Sequence, residues 1–138
     1  MADLTITPAN VAQISGTTLV TGVAGETILA GQPLYLKAAD ARLWKARSAA
    51  AATTEESTPL GIAMHGATAG QPVTYASGGV INIGATTVKT TPYVLSATAG
   101  GIAPMTDLVS TNKIVYLGYA TDVTGTFTIF KAVTGAAI

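Results

Sequence analysis

The chain has 138 residues, of which 49% are hydrophobic, 6% aromatic and 10% charged, and its seven basic and seven acidic side chains cancel. This length fits one domain, and the absence of cysteine excludes disulfide bonds and thiolate metal sites. Nucleic-acid binding requires clustered basic side chains, but the densest basic stretch also contains Asp40 and is soon followed by Glu55 and Glu56. We therefore expect no nucleic-acid partner. We also expect no membrane partner, because no stretch approaches the roughly 20 apolar residues of a membrane span.

The scarcity of charge predicts contact with other protein. An ordinary soluble domain has about 25% charged residues, far more than this chain. A neutral surface with few charges gives little repulsion between molecules in solution. Much of the exterior is therefore expected to be covered by a protein partner.

Residues 1–16 are predicted to form an extended N-terminal arm. The segment Leu4–Thr7 alternates apolar and polar residues, but Pro8 and Asn10 follow before any sustained strand pattern. Its backbone therefore needs a pairing partner outside the regular series of strands. We predict that residues 2–13 are mobile in the free protein and that the arm binds its partner through Asp3, Leu4, Thr5, Ile6 and Thr7.

Residues 17–138 are predicted to form a single β domain. The tetrapeptide Ala-Gly-Gln-Pro occurs at residues 30–33 and again at 69–72, each time before a strand candidate. This indicates either an internal duplication or one turn solution used twice. Residues 48–58 are alanine-rich and then polar, without an apolar stripe, and we expect a variable loop there. Other strand candidates lie at residues 18–20, 27–29, 43–46, 60–64, 80–83, 93–95, 102–104, 113–120 and 126–130.

The spacing of these strands predicts the fold class. Short strands separated by Gly, Pro and Asn are typical of barrels and sandwiches, and a parallel α/β fold would need crossover helices that the chain lacks. We therefore expect an all-β fold, a compact small β-barrel or β-sandwich of short antiparallel strands with an extended N-terminal arm.

No group of residues predicts catalysis, a metal site or a cofactor. His65 is the sole histidine and directly follows a strand candidate, which favours a turn residue over a ligand. Glu55 and Glu56 lie in the predicted loop, where solvated carboxylates are expected rather than a glycosidase pair. Ser77 and Ser96 lack a nucleophile-elbow sequence. We expect a protein that is not an enzyme.

The aromatic residues admit two interpretations. An exposed aromatic strip could bind sugar, whereas aromatics spread among strands usually pack a core or anchor a subunit interface. We favour the core or interface, and the candidate subunit-interface residues are Trp44, Tyr35 and Tyr75. Trp44 is expected to be half-buried at a domain or subunit boundary.

Five segments together carry a family resemblance. They are residues 1–7, Ala30-Gly31-Gln32-Pro33-Leu34-Tyr35-Leu36, Leu60-Gly61-Ile62-Ala63, Gly78-Gly79-Val80-Ile81-Asn82-Ile83-Gly84, and the block from Tyr93-Val94-Leu95-Ser96 to Gly100-Gly101-Ile102-Ala103-Pro104. These strand and turn patterns resemble the capsid cement, or head decoration, proteins of tailed bacteriophages. The resemblance extends over nearly the whole chain, except for residues 49–58.

The resemblance implies a structural virion protein without catalytic residues. Such a protein forms homotrimers on the capsid exterior, binds the major capsid protein and clamps neighbouring subunits, and is assembled in the host bacterial cytoplasm. The arm would then contact the capsid, with Leu4–Thr7 adding a strand to a capsid sheet.

Two other functions stay open. A trimeric receptor- or glycan-binding module of a phage fibre or tail would be favoured by aromatics clustered on one exposed face. A small hydrolase would require His65 to face a concave pocket beside a carboxylate and a hydroxyl.

Overall fold

The computed structural model describes residues 3–107 and 112–137, and strands dominate it. Strands account for 48% of the structure and helix for 5%, so the predicted all-β fold is confirmed. Two short 3-10 turns cover Pro8–Asn10 and Met105–Asp107. The strands are β1 Ala12–Val23, β2 Pro33–Lys37, β3 Arg42–Lys45, β4 Gly61–Ala63, β5 Pro72–Asn82, β6 Pro92–Leu95, β7 Ile102–Pro104, β8 Lys113–Ala120 and β9 Thr126–Ala137.

Strand β5 lies at the centre of one curled antiparallel sheet. The strand order is β3-β2-β4-β5-β9-β8-β6-β7, and β1 pairs with the opposite edge of β5. The sheet curls into a half-barrel. Directly after β1, Ala24 forms a bridge with Leu43 of β3, and the Gly25 N–H donates to the Leu43 carbonyl at 2.8 Å. Strands β1, β5, β4, β2 and β3 therefore follow one another around a nearly closed ring.

Two apolar cores lie on opposite faces of β4 and β5. Because successive strand residues point to opposite faces, Ile62 and Ala76 join the larger core while Ala63 and Tyr75 join the smaller one. The largest fully buried side chains of the larger core include Ile81, Tyr93, Leu95, Ile102, Leu117 and Phe127. The smaller core, inside the ring, contains Ile28, Leu34, Leu43, Val73 and Tyr75.

The two Ala-Gly-Gln-Pro turns have the same structure. In each turn the glycine has a positive φ, +90° at Gly31 and +87° at Gly70, a conformation that favours glycine. In each turn the glutamine Oε1 accepts a backbone N–H at 2.9 Å, from Leu29 to Gln32 and from Thr68 to Gln71.

Each turn also forms backbone hydrogen bonds with the residues that precede the other turn. Ile28 and Ala67 exchange two backbone hydrogen bonds of 2.8 and 2.9 Å. The Gly31 N–H donates to the Ala63 carbonyl at 2.8 Å, and the Gly70 N–H donates to the Ala24 carbonyl at 2.8 Å. The repetition therefore extends beyond the tetrapeptide to the residues before it, as expected of a duplicated turn-and-strand unit.

The N-terminal segment lies against the body of the domain. The Leu4 N–H donates to the Ile102 carbonyl and the Thr7 N–H to the Gly84 carbonyl, both at 2.7 Å. Leu4 and Ile6 pack against the larger core. The arm predicted over residues 1–16 thus finds backbone acceptors in its own domain, and its boundary at residue 16 falls inside β1. Residues 1 and 2 lie outside the described part of the chain.

Residues 46–60, which include the predicted loop at 48–58, contain turns and no strand. Buried Ser48 fixes the start of this loop by donating from Oγ to the Leu95 carbonyl at 2.6 Å. The Arg47 Nε contacts Glu56 Oε2, also at 2.6 Å, and closes the loop on itself.

Candidate functional site

The predicted arm residues point in two directions. Leu4 and Ile6 are partly buried, whereas the side chains of Thr5 and Thr7 are exposed. Ile6 fills the space beside Gly31, where an added Cβ would lie 2.6 Å from Ile6 Cγ2. An apolar contact of Leu4 and Ile6 with a partner would therefore require this segment to leave its own core.

The structure does not bring Trp44, Tyr35 and Tyr75 together on a surface. Tyr35 lies in the larger core and is 6% exposed, and Tyr75 lies in the smaller core and is 8% exposed. Burial raises the pKa of both tyrosines. They are core residues of the protomer because β2 and β5 are covered on both faces, so neither offers much surface to a second subunit.

Trp44 remains partly exposed, and its indole is fixed by neighbours on the β2–β3 hairpin. Its Nε1 donates to Asp40 Oδ2 at 3.1 Å, and the Lys37 ammonium lies 4.5 Å from the ring centroid. Of the three candidate interface aromatics, it is the only one with a side chain accessible at the surface.

The candidate titratable side chains His65, Glu55 and Glu56 each interact with different neighbours. The Nε2 of His65 accepts from the Thr74 N–H at 3.1 Å, and its Nδ1 lies 2.9 Å from the Gly66 carbonyl, so the ring holds a turn. Glu55 accepts from the Ala38 N–H, while the hydrogen bond from Arg47 lowers the pKa of Glu56. Among residues 3–107 and 112–137, no three His, Cys, Asp or Glu side chains lie close enough to hold a metal ion.

A groove of about 430 Å³ lies between the N-terminal segment and the ends of β5 and β8. Its polar lining consists of hydroxyl and amide groups, and it includes neither a carboxylate nor an imidazole. The groove therefore offers hydrogen bonds without an acid, a base or an activated nucleophile. Its polar residues are Thr5, Thr7, Asn10, Asn82, Thr86 and Thr124.

Strand β1 is the most unusual surface of the protomer. None of its twelve residues is buried, and it carries no charged residue. Its exposed apolar side chains, from 39% to 50% accessible, are Ile14, Leu19, Val20 and Val23. Free strand edges are normally protected by charges or proline, and β1 has neither. We call its outer edge the β1 edge. The sequence contains an indication of this edge that the prediction of strands did not take into account. No residue from Leu4 to Gly25 is charged.

A second exposed surface lies on β8 and β9. Tyr119 pairs with Thr128, two residues before Phe130, and a register shift in β9 follows between Ile129 and Ala132. Phe130 is 62% exposed, and Tyr119 and Val133 are also exposed. Among the described residues, the pairing between β5 and β9 ends at Ile129, and β9 continues beside β8 to Ala137. We call the outer side of residues 130–137 the β9 edge.

Lys131 is the only charged residue of β9. Its ammonium donates to the Leu60 carbonyl of the same chain, and burial lowers the pKa of Lys131. The β9 edge is therefore largely neutral towards any partner.

No helix in the described ranges is long and apolar enough to span a membrane. A scan against models of protein families finds no match to this chain, and a search of curated proteins finds none either.

Proposed function

We propose that this protein is a structural virion protein that binds the outer surface of a tailed-phage capsid, clamps neighbouring major capsid subunits and stabilises the head. It acts as a homotrimer on the virion exterior after assembly in the host bacterial cytoplasm. Its role is structural rather than enzymatic.

The observation that carries the proposal is the β1 edge. A long, uncharged strand with four exposed apolar side chains exposes both backbone hydrogen-bonding groups and apolar area. A partner strand would form hydrogen bonds with the exposed backbone groups, and a partner surface would bury the apolar side chains. Such a strand is costly to leave in water, which supports a protein whose working state is bound to other protein.

The neutral composition supports the same function. With seven basic and seven acidic residues cancelling, the protein as a whole has no net charge that would draw it to a charged surface. Affinity would rest on apolar burial, on backbone pairing and on the several contacts that one trimer presents together. A cement protein that occupies many equivalent sites gains stability from this multiplicity without needing a very tight single contact.

Binding to particles tests the proposal. Purified protein is mixed with undecorated capsids of the phage that encodes the chain, and bound protein is measured by co-sedimentation and electron cryomicroscopy. We expect density in three-fold clusters on the outer surface. Leu19→Lys should weaken attachment at least tenfold, whereas Val88→Lys, a matched change at an exposed loop valine, should not. The absence of bound protein on these capsids would reject the proposal.

One observation favours a second candidate, a trimeric receptor- or glycan-binding module of a phage fibre or tail. Tyr119 and Phe130 are both exposed on the neighbouring strands β8 and β9, and exposed aromatic rings can stack on sugar rings. A glycan array probed with the wild type and with Phe130→Ala tests it. Binding that is lost in the variant would support this function, and an array without any bound glycan would reject it.

A further inference from the structure

The pairing between β4 and β5 ends with a hydrogen bond to a side chain. Ala63 is the last residue of β4 and pairs with Tyr75. The next pair along this antiparallel ladder therefore joins Met64 and Thr74. The Met64 N–H donates to the Thr74 carbonyl at 2.9 Å, as such a pair requires. The return bond is different, because the Thr74 N–H donates to Nε2 of His65 at 3.1 Å. The imidazole takes the place of the Met64 carbonyl as the acceptor.

This bond fixes where the proton of the imidazole lies. A backbone N–H can only donate, so Nε2 of His65 carries no hydrogen and the proton of the neutral ring lies on Nδ1. Nδ1 lies 2.9 Å from the Gly66 carbonyl, to which it donates. In the charged ring both nitrogens carry hydrogen. The Nε2–H would then point at the Thr74 N–H, and the hydrogen bond between them would be lost.

The imidazole closes a loop, residues 65–74, that binds the end of β1. The loop contains the second Ala-Gly-Gln-Pro turn. This turn binds Ala24, which directly follows β1, through two backbone hydrogen bonds. The Gly70 N–H donates to the Ala24 carbonyl at 2.8 Å, and the Ala24 N–H donates to the Gln71 carbonyl at 2.9 Å. Opening the loop would therefore loosen the attachment of the end of β1.

We propose that His65 is a pH-sensitive latch for this loop. Its neutral imidazole holds Thr74 and closes the loop, and protonation of Nε2 releases Thr74 and loosens the contact between the loop and Ala24. Histidine is the side chain whose charge ordinarily changes between about pH 5 and pH 8, so the latch opens in mild acid. Since the hydrogen bond requires the neutral ring, the closed loop loses stability as the pH falls. The inference concerns the folded protomer and does not rest on the proposed function.

The first Ala-Gly-Gln-Pro turn has a side-chain acceptor at the equivalent position. Counted from the tetrapeptides at residues 30–33 and 69–72, Glu26 occupies the position of His65. Its Oε2 also accepts a backbone N–H, that of Lys45 on β3, at 2.9 Å. A carboxyl group can accept a hydrogen bond with or without a proton, whereas a protonated Nε2 cannot. Of the two equivalent positions, only the one with histidine is therefore sensitive to mild acid.

Few charges surround the imidazole. Residues 57–88, which include β4, the loop and β5, contain no Asp, Glu, Lys or Arg, and β1 contains none either. Tyr75, the other titratable residue of this range, is buried in the smaller core. The segment before the first turn, which pairs with the loop, has one charged residue, Glu26, and its carboxylate lies 3.6 Å from the Lys45 ammonium. The proton on His65 is thus the one charge that appears in this region between neutral and mildly acid pH.

Amide hydrogen exchange measured by NMR tests the latch. Protection factors, which correct for the pH dependence of exchange itself, are compared at about pH 7.5 and about pH 5 for the amides of Thr74 and Ala24. We expect protection to fall about fivefold at Thr74, the effect of one lost hydrogen bond, and to fall at Ala24 as well. The Lys45 amide, bonded to Glu26, is the matched control and should change by less than about twofold.

Two variants remove the titrating group. The amide oxygen of His65→Gln can still accept a hydrogen bond but does not titrate, and His65→Leu has no acceptor. The protection of the Thr74 amide should be independent of pH in both variants. In His65→Leu it should match the protection in the wild type at acid pH. Circular dichroism checks that each variant is folded.

Several results would overturn the inference. They are protection at Thr74 that does not change with pH in the wild type, a fall of equal size in His65→Gln, and full protection at neutral pH in His65→Leu. A neutral ring with its proton on Nε2, seen in the nitrogen chemical shifts, would also overturn it, and an unchanged Ala24 amide would reject the loosening of β1. All measurements use the free protein, so failure of the latch is distinguishable from failure to bind capsids.

Discussion

The Asp3 carboxylate accepts a hydrogen bond of 2.6 Å from the Ser96 hydroxyl, and this contact joins the start of the described chain to the turn after β6. Ser96 is itself buried, and its Oγ also accepts from the Thr98 N–H at 3.1 Å. Leu4 and Ile6 also pack against the larger core, so the N-terminal segment contributes to the stability of the domain.

Ile6→Ala is expected to lower the free energy of unfolding by about 1–2 kcal/mol, because it removes a half-buried side chain and leaves a cavity. Thr5→Ala, one residue away but exposed, is expected to change it by less than about 0.5 kcal/mol. Urea denaturation followed by circular dichroism measures both. Equal stability of the two variants would mean that the segment is detached in solution, as the sequence led us to expect.

The two Ala-Gly-Gln-Pro turns provide a matched test of how Ile6 packs against the domain. Alanine at Gly31 or at Gly70 must adopt a positive φ, which costs about 1–2 kcal/mol at either position. At Gly31 the new Cβ would also lie 2.6 Å from Ile6, whereas at Gly70 nothing lies within 4 Å. Gly31→Ala should therefore be the more destabilising by about 1 kcal/mol or more. In the Ile6→Ala background most of this excess should disappear, leaving only the tight contact of 3.3 Å with Val11 Cγ2, and an excess that persists in full would place its cause elsewhere.

The Arg47–Glu56 pair predicts a pH dependence of stability. The hydrogen bond from Arg47 lowers the pKa of Glu56 in the folded state, so the pair stabilises the fold above the ordinary glutamate pKa of about 4.3. That contribution should be lost as the pH falls through the lower, folded-state pKa. Thermal unfolding of wild type and Glu56→Gln between neutral and acid pH checks it. The difference in melting temperature should shrink towards acid pH, and Arg47→Met should behave in the same way. A difference that is independent of pH would contradict the assignment.

Capsid attachment is expected to be nearly insensitive to salt. The β1 edge, on which the proposed function rests, has no charged residue, so screening has little to act on. Dissociation constants measured at low salt and at about 1 M salt, where the Debye length is roughly 3 Å, should agree within about threefold. A fall in affinity of more than tenfold would show that charged residues carry the contact.

Local sequence signals were sufficient to predict most of the strands and turns, but the strand predicted at residues 27–29 is only a bridge at Ile28, and β1 begins at Ala12 inside the predicted arm. Glycine and proline mark the tight turns, and β-branched runs mark the strands, so the all-β class followed without knowledge of the pairing. The repeated tetrapeptide predicted two turns. It could not predict that Ile28 and Ala67 would pair, since that contact depends on how distant segments meet.

The dependence on contacts between distant segments also explains why Tyr35 and Tyr75 were wrongly expected at a subunit interface. Whether Tyr35 and Tyr75 face a core or a partner depends on which strands cover β2 and β5, and no local pattern encodes this. The alternation of Leu4 and Ile6 correctly indicated one apolar face. The acceptors for this segment lie at Gly84 and Ile102, far along the chain, so its attachment to the domain could not be inferred from the residues beside it.

The hydrogen bond between Leu4 and Ile102 also bears on the order of folding during synthesis. Leu4 is among the earlier residues to leave the ribosome, but its acceptor is translated almost a hundred residues later. The paired turns need only residues up to Gln71, so they can form while the partner of Leu4 does not yet exist. The N-terminal segment is thus made well before its acceptor and docks late, and until then its apolar residues are available to other chains growing nearby.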